Sequence, residues 1–193
     1  TKGQVNSVTA FLLSRRHGHR DQTVFLLSVR AGLRSKEIAN LKWAMVVVAD
    51  GQVGNAIHLT DIASKGKSGR VVPLNKQLHS NLAQMLSIAK ERRGFAIETA
   101  YVIITERSDY TSPQAVVNMF KRWYHDLGLL GCSSHSGRRT FITNAARQIS
   151  TVGGSIRDVQ MLAGHSSLTV IQRYIEGDSE EGARSWIWYD HAE

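Results

Sequence analysis

Arg34, in "AGLRSKEIANLKW" (31–43), stands just after a glycine break and just before a predicted helix. Free backbone N–H groups at a helix start favour an anion, and a guanidinium beside them adds a bidentate, charge-assisted clamp. Glu37, one turn on, is placed to hold that guanidinium; the plainer alternative is an exposed Arg–Glu pair, which contributes little. In "HSGRRTFITNAARQI" (135–149), Arg138 heads an apolar stripe that continues through Phe141, Ile142, Ala145 and Ile149. A guanidinium on the buried edge of a helix is costly unless it meets an anion, either a ligand or a structural carboxylate. Arg139 lines up with Thr143, Ala146 and Ser150 on a more polar face, and His135 can approach Arg138 across one turn.

Two further stretches carry reactive residue types. In "AGHSSLTVIQRYIEGD" (163–178), His165 and Tyr174 are nine residues apart, about two and a half turns, so one straight helix would put them on opposite faces. Ser166 and Ser167 suit a bend and a cap for a helix starting near Leu168, which lets both side chains serve one site. Equally, Tyr174 beside Leu168, Ile171 and Ile175 could be core. "SKGKSGRVVPL" (64–74) puts Lys65 and Lys67 on a predicted hairpin tip, able to reach a substrate lying across the domain or simply solvated. Its Gly-Lys-Ser is not a P-loop, because Asp61 stands where the first glycine belongs and no helix follows. No paired-cysteine or His-Glu-x-x-His pattern supports a metal, and no G-x-S-x-G supports a serine hydrolase.

The elements that must position these residues follow from pattern. Helices are predicted over 5–16, 21–31, from 33 to 43, over 75–92, 112–127, 137–149, 155–163 and 168–176, with Gly32 ending the second. "WAMVVVADG", "AIHLTDIAS" and "RVVPL" are β-branched runs parted by turns, and "AYVIITE" is a further strand candidate. The sum is a mostly helical α+β domain with a small three-stranded antiparallel sheet. At 193 residues, 42% hydrophobic and 21% charged, the chain suits one domain with a substantial core. No apolar run approaches a membrane span, and a single cysteine, Cys132, excludes an internal disulfide framework and fits a reducing compartment. Twenty-four Lys and Arg against 16 Asp and Glu give a net charge of +8, which favours a phosphate-rich partner.

Taken in order, "AGLRSKEIANLKW", the lysine hairpin ending "VVPL", "HSGRRTF" and "LAGHSSLTVIQRY" resemble the catalytic domain of the tyrosine recombinases, the phage-integrase family. The resemblance covers essentially the whole chain. Gly137, Arg139 and Ala163 stand where the family often has leucine, histidine and leucine. Position by position, the resemblance implies six catalytic residues: Arg34, Lys65, His135, Arg138, His165 and Tyr174, with Glu37 supporting Arg34. It implies DNA breaking and rejoining, with Tyr174 as nucleophile, His135 as base and Lys65 as proton donor, and neither cofactor nor metal. It also implies double-stranded DNA as partner, a homotetramer on DNA, accessory DNA-bending proteins, no membrane, and a cytoplasmic, nucleoid-associated setting in a bacterium or phage. Residues 1–178 would be the catalytic domain and 179–193 a tail that docks in trans or packs on its own domain. The family's N-terminal core-binding domain would be absent from this chain. A type IB topoisomerase and a non-catalytic DNA-binding regulator on the same scaffold are the alternatives.

Overall fold

Five other helices pack against the helix predicted over 21–31. In the computed structural model, which describes residues 2–60, 69–164, 168–169 and 171–172, α1 spans Lys2–Leu13 and α2 spans Gly18–Ala31. α2 is buried on nearly all sides through Val24, Phe25, Leu26, Leu27 and Val29, because its apolar residues run around the cylinder and not along one stripe. It ends where Gly32 turns left-handed at φ 65°, returning its N–H to the carbonyls of Leu27 and Ser28. A short helix, α3 (Ser35–Ala39), follows at once.

α4 (Lys76–Lys90) starts on Asn75, whose side chain accepts from the Leu78 N–H at 2.8 Å, and buries Leu78, Leu82 and Leu86. α5 (Pro113–Asp126) starts on Ser112 with proline at its first position and packs Val116, Phe120 and Trp123 into the same core, against α3. α6 (Ser136–Gln148) lies on α2, and its Gly137 is what permits the approach: a Cβ there would sit 2.5 Å from Ser28 Oγ. A 3-10 turn at Ile149–Val152 leads to α7 (Ile156–Ala163), opened by a capping box in which Ser155 and Asp158 satisfy each other's backbone. Ile142, Val159, Ala163 and Ile171 form a second small core between α6, α7 and the segment beyond.

The mostly helical α+β fold is as expected, but the sheet has two strands among the described residues. β1 (Ala56–Leu59) pairs antiparallel with β2 (Arg70–Pro73), in the register Ala56↔Pro73 to Leu59↔Arg70. The expected first strand, 43–51, is a 3-10 turn at Trp43–Met45 followed by one bridge, Val47↔Val53. The β-branched run is consumed by a tight turn: Gly51 N–H bonds to Val48 O, leaving too few residues to form a ladder. "AYVIITE" likewise makes only the bridges Lys42↔Tyr101 and Thr105↔Ser108. The helix expected to reach residue 43 stops at Ala39, because Asn40 turns its side chain back to the Lys36 carbonyl and Leu41 pairs with Val102. No helix among the described residues is long and apolar enough to cross a membrane.

Candidate active site

Three arginines, far apart in sequence, converge on the last turn of α7. Arg34 donates to Gly164 O at 3.0 Å, Arg70 donates through Nε to Leu162 O at 2.8 Å, and Arg138 donates to Ala163 O and to Gly32 O. These carbonyls belong to the C-terminal end of a helix, which carries partial negative charge and lacks intrahelical donors. Gly164 closes α7 in a left-handed conformation, φ 59°, its N–H returning to Gln160 O and Met161 O. The chain therefore leaves α7 through a cage of guanidinium groups directly before His165.

Glu37 organises two of the three. Its carboxylate is fully buried yet accepts four hydrogen bonds: Arg34 Nη1 at 3.0 Å and Arg70 Nη1 at 2.7 Å on Oε1, the Arg34 backbone N–H at 2.8 Å and Arg70 Nη2 at 3.0 Å on Oε2. That fills the lone-pair capacity of a carboxylate. Burial pushes the Glu37 carboxyl upward, but the hydrogen bonds and charges of Arg70, and then of Arg34, outweigh it and hold the group below the usual range. The exposed-pair alternative for Arg34 and Glu37 is thus excluded by burial: the Arg34 side chain keeps 22% exposure and that of Glu37 none.

Arg138 sits where the stripe predicted, buried at the start of α6 and turned toward α7. His135 is the residue that precedes α6; it is exposed, and its backbone N–H is held by Ser133 Oγ at 3.3 Å. Lys65, His165 and Tyr174 lie outside the described residues, as do the Ser166–Ser167 bend and the tail 179–193. The described residues place Ile171, three before Tyr174, fully buried against α6 and α7 while Leu168 is exposed, so the stripe anticipated on that helix is anchored at its middle member. Among the described residues no cluster of His, Cys, Asp or Glu could hold a metal.

Arg70 was not singled out from sequence. Strand alternation carries the signal: Val71 is exposed and Val72 buried, so Arg70 shares the inward face with Val72. An arginine on the buried face of a strand requires an anion, and here it is Glu37.

The profile of the phage integrase family matches residues 1–181. Tyrosine recombinase XerA of Thermococcus onnurineus (strain NA1) is 30% identical over 165 residues, covering 80% of this chain and 50% of the relative. The crystal structure of XerA recombinase superposes with a TM-score of 0.71 at 19% identity, over 91% of this chain and 57% of that one. XerH site-specific recombinase bound to palindromic difH substrate, in a post-cleavage complex, gives 0.68 at 18%, over 94% and 51%. The chain belongs to the phage integrase family. It spans about half the length of the relatives it matches.

Proposed function

We propose that this chain is the catalytic domain of a site-specific DNA recombinase that cuts and rejoins DNA through a 3′-phosphotyrosyl intermediate. The observation that carries the proposal is the convergence of Arg34 and Arg138, 104 positions apart, on the neighbouring carbonyls of Gly164 and Ala163, immediately before His165. Two guanidinium groups at one point are what the non-bridging oxygens of an attacked phosphodiester need. The names of the relatives, tyrosine recombinases among them, support the same chemistry.

In the proposed step the Tyr174 hydroxyl attacks phosphorus in line while Arg34, Arg138 and His165 hold the non-bridging oxygens. The phenol, with an ordinary pKa of about 10, gives its proton to His135 as the new P–O bond forms. The bond from phosphorus to the 5′ oxygen breaks, and Lys65 protonates the departing oxygen. One phosphoester replaces another, so a different 5′ hydroxyl can reverse the step without ATP. Double-stranded DNA is the substrate, four copies act together on it, and the tail 179–193 bridges neighbouring copies. We place the activity in the cytoplasm, with accessory DNA-bending proteins as further partners.

The test is a pool of nicked duplexes with randomised sequence around the nick, from which covalent protein–DNA adducts are captured and sequenced. The chain is expected to yield adducts and Tyr174→Phe none, with equal DNA binding. Adducts from Tyr174→Phe, or none from the parent chain, overturn the proposal.

A further inference from the structure

We infer that Arg70 is a positioning residue that neutralises Glu37 so that the Arg34–Glu37 pair does not present a cancelled field to the scissile phosphate; the inference rests on the function proposed above. Glu37 poses a conflict. Its two oxygens fix Arg34 through both the backbone N–H and the guanidinium, at 2.8 and 3.0 Å, which orients the clamp. A carboxylate that close would also cancel most of the field Arg34 presents to an anion, because the pair sums to zero. Arg70 resolves this. Its planar fork takes both Glu37 oxygens, at 2.7 and 3.0 Å, with a side chain only 6% exposed, and the three groups together carry one positive charge.

Arg70 also ties two separate elements, β2 and α7, to this cluster. It opens β2, directly after the segment that holds Lys65, and its Nε anchors Leu162 O near the end of α7, ahead of His165. The fit is close: a Cβ on Gly164 would lie 2.8 Å from Arg70 Nη1, and the left-handed φ of 59° favours glycine there. Among the described residues, the three hydrogen bonds of Arg70 all go to Glu37 and Leu162. Its effect on a phosphate must therefore pass through Arg34.

The experiment uses the full chain and a nicked duplex recovered from the randomised pool, made with either a normal phosphodiester or an uncharged methylphosphonate at the cleavage point. Arg70→Met is expected to slow single-turnover cleavage of the phosphodiester by ~10-fold or more while duplex affinity changes little. On the methylphosphonate, which carries no charge for Arg34 to meet, most of that penalty should vanish. Adding Glu37→Gln to Arg70→Met should restore part of the rate, since the cancelling charge is gone, and Arg70→Lys should fall between parent and Arg70→Met. Equal penalties on both linkages, unrelieved by Glu37→Gln, overturn the inference in favour of a merely structural salt bridge; so does unchanged cleavage in Arg70→Met. Should Arg70→Met not fold, Arg70→Lys with and without Glu37→Gln makes the same comparison. If the parent chain forms no adduct, the proposed function itself fails, and the role given to Arg70 falls with it.

Discussion

Glu37 carries a full charge on a fully buried side chain, and that couples the stability of the fold to its protonation. Its folded-state pKa is depressed, so the stability it contributes is present above the unfolded value, about 4.3, and is lost as pH falls through the lower folded value. Glu37→Gln is expected to destabilise the chain at neutral pH by ~3 kcal/mol, because two guanidinium groups lose a buried anion. It should also flatten the stability curve below about pH 4.3, the region where only the parent has this proton to take up. Urea denaturation at pH 7 and at pH 3.5 checks both, and a parallel acid dependence in parent and variant would contradict the assignment. Arg34, Glu37 and Arg138 were legible in the sequence because each has a local signature: a helix start, an i+3 partner, the head of an apolar stripe. Arg70 was not, since its reason for being buried lies 33 positions away and β-branching in its strand does not mark which face turns inward.

At the scale of elements, the glycines at the contact of α2 and α6 decide how far the Arg138 guanidinium can reach. Gly32 has Phe141 of α6 against it, 2.3 Å from where a Cβ would be, and Gly137 has Ser28 and the Val29 backbone at 2.5 and 3.3 Å. With these two positions bare, α6 lies close enough for Arg138 to bond Gly32 O on one side and Ala163 O on the other. Gly137→Leu should wedge the helices apart at a cost of ~1–3 kcal/mol and weaken the grip of Arg138 on the end of α7. Thermal melting measures the first effect and cleavage rate the second; a melting point at or above that of the parent would show that the contact relaxes without strain. The helices themselves were readable because caps and apolar periods are local. The third strand was not, because a β-branched run says nothing about whether the turn after it leaves room for a partner.

The whole molecule puts its charge to use in two distinct ways. Within the site, Arg34, Arg70 and Glu37 hold a net single positive charge in fixed geometry, a short-range device that ions in solution screen weakly. Over the rest of the surface, 24 basic against 16 acidic residues leave a diffuse surplus of +8, which acts at long range and is screened strongly. Affinity and catalysis should therefore separate with salt. On the function proposed above, binding to a duplex would release condensed counterions, so log K is expected to fall linearly with log salt, with a slope of roughly −5 if about six phosphates are contacted. Single-turnover cleavage, measured at saturating protein, should change far less over the same range, because the bound phosphate meets guanidinium groups already fixed by Glu37 and the end of α7. Fluorescence anisotropy across 50–300 mM salt gives the first slope and quench-flow the second. An affinity indifferent to salt would mean that the basic surplus does not face the duplex, and a cleavage rate falling as steeply as affinity would mean that the arginine cluster is not preorganised.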